Sequence, residues 1–434
     1  MNNRRALLLI FGANIVSSFA TGITMLAVPY YLVSKMGESD GKALNAGLML
    51  GITIVSLFWR FWAGYLIDRY NRKRIFQVMN GVDCLLITGI ALFGYTLPDI
   101  PFYLLAAVAA LTVFTYNVHF PNLYAFAQEI FDPKYYQRVN SAIELQHQAT
   151  SFLGMLAGGI FLSGTAAIEW WPDFLEMEAW DMRDIILMDG LTYGLAFFLI
   201  SLIRYKPGAY IQENKGKILG RIKQGFAYLR QRKMLFLFGV TTHAIFFTVL
   251  ILVQVTSPIY ITDFLGLGFE EGILVISLFE ALFSVGAILA GLLFISTENL
   301  DNRRLVGIIT AMLFAIAGLY LLWALTAVPL IYILGGFLLG FANAGARILR
   351  ITYIVRITPN RIIGRVNSIF SVSNSLLRIM MLMVLNLSFF SAKENGGNVI
   401  YAMMICGAVC AIGGLLLMYK RRAILSERAT EATQ

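Results

Sequence analysis

Long apolar runs alternate with short polar breaks along the whole chain of 434 residues. Each run is about 20 residues long or longer, which is the length an α-helix needs to cross the ~30 Å hydrocarbon core of a bilayer. The pattern therefore predicts twelve membrane-spanning helices. The predicted spans lie near residues 7–33, 43–67, 75–96, 102–130, 140–164, 185–204, 234–262, 271–296, 305–327, 329–355, 366–392 and 398–419.

The composition argues against the soluble classes of protein. Hydrophobic residues make up 58% of the chain and charged residues only 14%, whereas soluble domains contain about 45–50% apolar residues. A soluble enzyme, a nucleic-acid-binding protein and a disordered scaffold are therefore not expected. Cys84, Cys406 and Cys410 lie within apolar segments and show neither a disulfide framework nor zinc-ligand spacing. We expect no metal and no cofactor.

The basic residues are distributed unevenly between the two sides of the predicted membrane. If the N-terminus is cytoplasmic, 26 of the 34 Lys and Arg residues lie on the cytoplasmic side and four lie on the other side, with four inside spans. An excess of Lys and Arg marks cytoplasmic loops. Both termini are therefore predicted to be cytoplasmic. The first span lacks a small-residue cleavage site, so we expect it to be retained rather than removed as a signal peptide.

Two polar segments between spans have recognisable character. The acidic segment 165–184 carries Trp170, Trp171 and Trp180, which suits a helix at the outer membrane interface. In the long basic loop after span six, Ile218, Ile222, Phe226 and Leu229 recur at helical spacing among Lys and Arg residues. This pattern predicts an amphipathic helix on the cytoplasmic membrane surface that connects two domains.

The chain contains an internal repeat. Arg138-Val139-Asn140-Ser141 opens span five, and Arg365-Val366-Asn367-Ser368 opens span eleven, 227 residues later. The repeat predicts two six-span halves, residues 1–205 and 234–434, joined by the linker 206–233. Parallel repeats of this kind place a binding site near the bilayer midplane and expose it alternately to the two sides. This arrangement is typical of a carrier, whereas a channel does not need it.

A motif between spans two and three resembles a known family signature. The segment Gly64-Tyr65-Leu66-Ile67-Asp68-Arg69-Tyr70-Asn71-Arg72-Lys73 is similar to the G-x-L-x-D-R-x-G-R-R motif of the major facilitator superfamily. Asn71 replaces the second glycine, and Asn tolerates the left-handed turn that glycine would serve. The resemblance implies an all-α membrane protein with two pseudo-twofold-related six-helix bundles. It also implies a cytoplasmic gate, in which the Asp68 carboxylate meets the positive N-terminal end of span eleven. The implied gating residues are Gly64, Asp68, Arg69, Arg72, Lys73, Arg138 and Arg365.

Further patches resemble the bacterial branch of that superfamily that contains macrolide-efflux and siderophore-export carriers. They include His119-Phe120-Pro121 and Asp189-Gly190. The run Gly154-Met155-Leu156-Ala157-Gly158-Gly159 is similar to the antiporter motif of exporters, with Met155 where that motif has proline. Thr112 aligns where proton-coupled drug exporters carry an arginine. The branch implies export across the bacterial inner membrane without the usual coupling arginine.

Ionisable side chains inside the spans are the candidate substrate or proton pathway, because a charge at mid-bilayer costs at least about 2.5–3.5 kcal/mol. The candidates are Asp83, Glu144, His147, Asp189, Glu280, Arg347, Arg350 and Arg378. Two interpretations stay open. The arginines bind an anionic substrate while one acid titrates, or the same groups form structural contacts such as a Glu280–Arg378 pair or a bond from Arg350 to a carbonyl group. Arg60 is expected to snorkel to the surface or to contact a gate.

Together these observations predict a secondary active transporter rather than an enzyme. We expect it to export a small organic molecule by alternating access, driven by protons, and to act as a monomer in the bilayer. The phosphate-binding loop that ATP drive would need is absent from the sequence. Alternatives are a transporter of an anionic metabolite such as a carboxylate siderophore, a lysolipid flippase, and a non-transporting receptor on a carrier fold.

Overall fold

The computed structural model of the protein describes residues 4–35, 38–130, 136–164, 177–204, 218–294, 300–358, 360–385, 389 and 398–426. This part of the chain is helical and contains no β-strand. Ten of its helices are long and apolar enough to cross a membrane, and Leu153–Ser163 and Ile369–Leu385 form shorter apolar helices. The predicted all-α, twelve-span architecture is confirmed.

The helices are numbered in chain order. In the first half they are α1 (Arg4–Lys35), α2 (Glu38–Arg69), α3 (Arg72–Gly94), α4 (Phe102–Ile130), α5 (Tyr136–Ser163) and α6 (Met182–Ser201). The linker contains α7 (Ile218–Gln231). The second half consists of α8 (Lys233–Thr242), α9 (Ala244–Ile251), α10 (Ser257–Ile259), α11 (Phe269–Leu293), α12 (Asn302–Leu325), α13 (Pro329–Ile357), α14 (Asn360–Leu385) and α15 (Asn398–Ser426).

Packing divides the chain into two compact units. The N-terminal unit comprises Met1–Lys215 and Gly268–Ala281, and the C-terminal unit comprises Gly216–Leu267 and Leu282–Gln434. The first half of α11 thus belongs to the N-terminal unit, which no pattern in the sequence indicated. The predicted domain boundaries at residues 205 and 233 stay predictions.

In the N-terminal unit, α3 and α6 pack against each other as an antiparallel pair with a constant register. A Cβ atom at Gly190 would lie 2.7 Å from the backbone nitrogen of Thr88, and one at Gly194 would lie 2.9 Å from Cys84 Sγ. Further along the pair, Gln77 Nε2 donates to Ser201 Oγ at 3.0 Å. The two glycines permit this close contact because they have no side chain.

The glycine run of span five also lies at close helix crossings in the N-terminal unit. A Cβ atom at Gly154 would lie 2.5 Å from the carbonyl oxygen of Phe19 on α1, and one at Gly159 would lie 2.2 Å from Ser277 Oγ on α11. The motif that resembles an antiporter signature therefore has a packing role, which small residues commonly have in membrane helices.

The start of α3 differs from the expectation. Asn71 adopts an extended conformation with φ of −60°, and its side chain accepts a hydrogen bond from the backbone N–H of Arg74. The expected left-handed turn is therefore wrong, because Asn71 serves as the N-cap of a helix. Asp301 caps α12 in the same way, by accepting from the backbone N–H of Arg304 at 2.7 Å.

The seventh span in the C-terminal unit is irregular. Its helix passes through two π-helical segments, Leu252–Thr256 and Tyr260–Phe264. Such π-bulges occur frequently at functional sites. Elsewhere in this unit a Cβ atom at Gly340 would lie 1.9 Å from the carbonyl oxygen of Phe283, so α11 and α13 cross in backbone contact.

The predicted amphipathic linker helix is present as α7. Gly225 lies against the first turns of α14, where a Cβ atom would be 2.8 Å from the carbonyl oxygen of Arg365. Leu229 is buried, whereas the side chain of Phe226 is 56% exposed. One face of α7 thus packs on α14 within the C-terminal unit. The proposed contact of the other face with lipid stays a prediction.

The external segment that follows α5 is described only from residue 177. Residues 177–181 are not helical, so the predicted interfacial helix is wrong there. Trp180 instead stacks on Phe161 at a ring distance of 4.4 Å, and Asp181 caps α6. Trp170 and Trp171 lie outside the described residues.

Candidate functional site

The structure describes the side chains of most, but not all, of the residues predicted for the pathway. The side chains of Gly64, Asp68, Arg69, Arg138 and Glu144 lie outside the described residues. The other predicted residues are described and fall into two groups. Asp83, His147, Asp189 and Glu280 belong to the N-terminal unit, and Arg347, Arg350 and Arg378 belong to the C-terminal unit.

Asp83 lies at the middle of α3 with its side chain turned into the N-terminal bundle. It is 3% exposed, and its Oδ2 accepts a hydrogen bond of 2.5 Å from Thr115 Oγ1 on α4. Neither Lys nor Arg pairs with it among the described residues. A buried carboxyl group is thus held by a neutral hydroxyl donor, without a counter-ion.

Asp189 on α6 is the most deeply buried carboxyl group of this unit, with an exposed fraction of 0%. Its Oδ2 accepts a hydrogen bond of 2.9 Å from Thr24 Oγ1 on α1. Its Oδ1 has no hydrogen-bond partner among the described residues. Asp189 lies near enough to Asp83 for their charges to interact, and repulsion between two such carboxylates disfavours ionising both.

Tyr193 lies between these two acids and was not singled out in the sequence. It is buried one helical turn after Asp189 and interacts electrostatically with both carboxyl groups. Its hydroxyl lies 3.2 Å from Thr21 Oγ1 on α1 and is close to the Thr112 hydroxyl on α4. Tyrosine is an ordinary residue in an apolar span, so the sequence gives no reason to single out Tyr193. Its significance comes from its position relative to Asp83 and Asp189, which only the structure shows.

A second polar network joins α1, α4 and α5. His119 Nε2 lies 2.7 Å from Asn14 Oδ1, and Asn14 Nδ2 donates to Gln146 Oε1. The imidazole of His147 packs edge-on against Phe120 at a ring distance of 4.5 Å. Both histidines thus contact side chains of neighbouring helices.

Arg60 has a polar partner inside the N-terminal unit. Its Nε donates to Asn117 Oδ1 on α4 at 2.9 Å. The half-buried guanidinium group therefore reaches across the bundle to another helix. The sequence had instead predicted that Arg60 snorkels to the surface or contacts a gate.

Glu280 on α11 is 3% exposed. Its Oε1 has no hydrogen-bond partner among the described residues. Burial without a charge partner makes Glu280 a third candidate for a group that binds and releases a proton.

In the C-terminal unit, Arg350 on α13 is buried and its Nη1 donates to the carbonyl oxygen of Thr242 at 3.3 Å. This is the carbonyl contact that the sequence left as an alternative. Arg347, one turn earlier on α13, interacts electrostatically with Arg350. His243 lies beside Arg350 and bonds through Nδ1 to the carbonyl oxygen of Gly239 at 2.5 Å.

Arg378 on α14 donates a hydrogen bond through Nη2 to Gln254 Oε1. Gln254 lies in the π-helical segment Leu252–Thr256 of the seventh span. Neither Gln254 nor the π-helical segment was predicted. An arginine, an amide and a helix irregularity thus meet at one place inside this unit.

The basic residues in the first turn of α3 make structural contacts within the N-terminal unit. Arg72 Nη1 lies 2.9 Å from Glu129 Oε1 and donates to the carbonyl oxygen of Ala125 on α4. Lys73 Nζ donates to the carbonyl oxygens of Ser201 and Ile203 at the end of α6, at 3.0 and 2.8 Å. These bonds are compatible with the implied gating role and do not test it.

The described residues contain no cluster of three His, Cys, Asp or Glu side chains that suits a metal ion. The buried acids with described side chains lie in the N-terminal unit, whereas the buried Arg350 and the half-buried Arg347 and Arg378 lie in the C-terminal unit. A multi-pass helical protein with ionisable groups inside its bundles has the make-up of a membrane carrier.

The sequence profile of the Major Facilitator Superfamily matches residues 10–298, which is more than half of the chain. The chain therefore belongs to this family of membrane transporters, as the motif between spans two and three indicated. It is a multi-pass membrane protein of a non-enzymatic family. Among curated proteins, none matches the sequence significantly.

Solved structures share the fold at low sequence identity. A bacterial homologue of the human lysosomal transporter Spinster, inward-facing and occupied, aligns with a TM-score of 0.69 at 14% identity, over 99% of each chain. A D-xylose–proton symporter aligns with a TM-score of 0.68 at 12% identity, over 97% of this chain and 98% of the other. The nucleoside transporter NupG aligns with a TM-score of 0.66 at 12% identity, over 98% and 100%. At such identities the likeness shows the fold alone.

Proposed function

We propose that this protein is a secondary active transporter that exports a small organic molecule by alternating access and uses the proton gradient as its energy source. The observation that carries the proposal is a set of buried carboxyl groups that have no counter-ion in the described part of the chain, Asp83, Asp189 and Glu280. A carboxyl group in this setting binds a proton readily and releases it when its surroundings become polar. Such groups are what a proton-coupled carrier requires.

The energy source follows from the same chemistry. Burying an isolated carboxylate is costly, whereas a protonated carboxyl group needs only hydrogen-bond partners. A conformational change that hydrates one of these acids therefore links proton release to movement of the substrate. A structural neighbour, the D-xylose–proton symporter, bears proton coupling in its name, which makes this energy source reasonable for the fold.

A second candidate function is transport of an anionic metabolite. Arg347, Arg350 and Arg378 are inside the C-terminal unit, where Arg350 donates to a backbone carbonyl oxygen and Arg378 donates to the side-chain amide oxygen of Gln254. A guanidinium group that keeps its charge can form charge-assisted bonds to a carboxylate. The likeness to siderophore-export carriers in the sequence favours a carboxylate siderophore, and a lysolipid with an anionic headgroup is the amphiphilic alternative.

The proposed setting is the bacterial inner membrane, with both termini in the cytoplasm. The strong excess of Lys and Arg in the loops on one side supports this orientation. The proposed cytoplasmic gate consists of Gly64, Asp68, Arg69, Arg72, Lys73, Arg138 and Arg365, and the protein is proposed to act as a monomer.

The first experiment is a thermal-shift screen of the purified protein against carboxylate siderophores, lysolipids, macrolides and organic acids. We expect an anionic compound to raise the melting temperature of the wild type and to lose this effect in Arg378→Ala. Arg304→Ala is the matched control, because Arg304 is an exposed arginine at the start of α12. Equal stabilisation of Arg347→Ala, Arg350→Ala and Arg378→Ala would contradict an anionic site.

The second experiment tests coupling in proteoliposomes that contain a pH-sensitive dye. Movement of the stabilising compound is expected to change the internal pH in the wild type. Counterflow of labelled compound separates a carrier from a channel, because only a carrier exchanges label against a gradient. Flux without any pH change would contradict proton coupling.

The third experiment addresses the non-transporting receptor. Asp68→Asn is expected to slow flux strongly in a carrier with the proposed gate, while binding of the compound persists. Asp301→Asn is the control, because Asp301 caps α12 and asparagine caps helices equally well. A receptor would show binding in both variants and no flux in the wild type.

A further inference from the structure

The two aspartates of the N-terminal unit are too far apart for a direct hydrogen bond. The register of α3 and α6 pairs Thr88 with Gly190 and Cys84 with Gly194. In this register Asp83 faces residue 195 of α6, which is six residues after Asp189. Six residues correspond to about 9 Å along the helix axis at ~1.5 Å per residue. Any proton exchange between them needs intermediate groups.

Five hydroxyl groups occupy this interval. Thr24 donates to Asp189, Thr21 contacts Tyr193 at 3.2 Å, and Thr115 donates to Asp83. Thr112 lies close to the Tyr193 hydroxyl. The hydroxyls therefore lie in order between one carboxyl group and the other, as Thr24, Thr21, Tyr193, Thr112 and Thr115, with hydrogen bonds at three of the six steps.

The hydrogen-bond directions suit proton transfer at Tyr193, whereas Thr112 has to turn its O–H from Val108 towards Thr115 before it passes a proton on. Thr112 Oγ1 donates to the carbonyl oxygen of Val108 at 2.9 Å, so its lone pairs remain available to accept from Tyr193. The Tyr193 hydroxyl can then accept from Thr21 while it donates to Thr112. A hydroxyl that accepts from one neighbour and donates to the next is the arrangement that passes a proton.

Two steps in the row span one helical turn. Thr21 and Thr24 are three residues apart on α1, and Thr112 and Thr115 are three residues apart on α4. Side chains at this spacing share a helix face, with about 5–6 Å between their Cβ atoms. One water molecule bridges polar groups at such a separation with little loss of free energy. The row therefore needs one bridging group at each of these two steps.

We propose that Asp189 and Asp83 exchange a proton through this row of hydroxyls. In the exchange, the O–H bond of one carboxyl group breaks and an O–H bond forms on the other, while each hydroxyl passes on one proton and receives one. No atom is oxidised or reduced. The unpartnered Oδ1 of Asp189 is the position at which a proton is bound without displacing the bond from Thr24.

The surroundings of the row favour one shared proton. The titratable groups that α1, α3, α4 and α6 turn towards it are Asp83, Asp189 and Tyr193, and neither Lys nor Arg is paired with them among the described residues. Two carboxylates without a cation repel each other. The inference rests on the proposed proton coupling and names the groups that perform it.

Infrared spectroscopy of the purified protein tests whether Asp83 and Asp189, the two ends of the row, bind protons. A pH titration is expected to show carbonyl stretching bands of buried protonated carboxyl groups, one of which disappears in Asp83→Asn and another in Asp189→Asn. Glu280→Gln is the matched control, because it should remove only a band of Glu280 itself and leave both aspartate bands. Unchanged bands in both aspartate variants would overturn the proposal, as would loss of both bands in Glu280→Gln alone.

A pH jump followed by time-resolved infrared measurement tests the row itself. In the wild type the two bands are expected to change together, since the groups share a path. In Tyr193→Phe the two bands should change at different rates, with one slowed by about tenfold or more. The reason is that loss of a hydrogen bond of ~1.4 kcal/mol from the transfer path lowers the rate of transfer tenfold. Tyr332→Phe is the control, since Tyr332 is a buried tyrosine with a bonded hydroxyl in the C-terminal unit.

A second variant guards against misfolding. Thr21→Val should separate the bands as Tyr193→Phe does, and Thr21→Ser should restore the common rate because it keeps the hydroxyl. Bands that change together at the wild-type rate in Tyr193→Phe and Thr21→Val would overturn the row. If the bands behave as expected but transport moves no protons, the proposed coupling fails and the row stands. If transport moves protons while the bands are unaffected, the row fails and the coupling stands.

Discussion

The two units of this transporter bury ionisable groups of opposite sign and satisfy both with neutral partners. In the N-terminal unit, Asp83 and Asp189 accept hydrogen bonds from threonine hydroxyls. In the C-terminal unit, Arg350 donates to a backbone carbonyl oxygen and Arg378 donates to the amide of Gln254. The acids are thus held by hydroxyl groups, and these two arginines are held by oxygen atoms that only accept hydrogen bonds.

This difference matters because the two kinds of partner behave differently. A hydroxyl can donate or accept, so a threonine beside an aspartate serves the carboxylate and the protonated acid alike. A carbonyl or amide oxygen only accepts, and an arginine does not lose its proton. The N-terminal unit is therefore suited to change its protonation state, and the C-terminal unit is suited to keep a positive charge for an anion.

The largest expected effect separates the two roles directly. Arg378→Ala should weaken binding of an anionic compound about 30-fold or more, because loss of one partner of a buried charged pair costs ~2–5 kcal/mol. Asp189→Asn should leave that affinity nearly unchanged. Isothermal titration of both variants measures the contrast. Equal losses in the two variants would remove the division of roles between the units.

A second test concerns a property that both units share, the close helix crossings at glycine. Gly340→Ala in the C-terminal unit and Gly190→Ala in the N-terminal unit should each destabilise the fold by about 1–3 kcal/mol, because the new methyl group meets backbone atoms. Gly318→Ala is the control, since its Cβ would have open space around it and alanine favours a helix. A melting temperature of Gly340→Ala at or above the wild-type value would contradict the close crossing.

A smaller effect is expected in the loop that carries the family motif. Lys73→Met removes two hydrogen bonds to the last carbonyl groups of α6 and should cost about 1 kcal/mol. Arg74→Met is the control, because Arg74 is an exposed neighbour in the same turn. Unfolding monitored by thermal shift compares them, and equal melting temperatures would show that the bonds from Lys73 contribute little.

The smallest effect concerns the opposite end of the same helix pair. The hydrogen bond between the Tyr95 hydroxyl and Asp184 raises the pKa of Tyr95 to about 12. Its stabilising contribution is fully present below the unfolded pKa of about 10 and is lost as the pH rises from about 10 to 12. Tyr95→Phe should flatten the slope of melting temperature against pH in that range. An unchanged slope would show that this exposed bond does not support the fold.

Much of the fold was predictable from local pattern. A helix in lipid must form all of its backbone hydrogen bonds within itself. The length and hydropathy of an apolar run are therefore sufficient to predict a span. Helix ends were less predictable. Asn71 was expected to adopt a left-handed turn, whereas its side chain caps α3. Asparagine suits both roles, and which one it takes depends on the residue at which the next helix begins.

The candidate site was predictable in part. Asp83, Asp189 and Arg378 stand out in any apolar span because a charge there is costly. Tyr193, Thr21 and Gln254 do not stand out, since tyrosine, threonine and glutamine in spans are commonly satisfied by their own helix. Only the packing of α1 and α4 against α3 and α6 turns Thr21 and Tyr193 towards the acids, and only the packing of α14 against the seventh span brings Gln254 to Arg378.

The sequence by itself determined the membrane setting, the number of spans, the family and the identity of the costly buried charges, because each depends on composition and order along the chain. The tertiary structure decided which neutral group satisfies each charge, where α11 belongs and how the hydroxyls line up between Asp83 and Asp189. Hydrogen bonds act over about 3 Å between residues far apart in the chain, so they depend on how the helices pack.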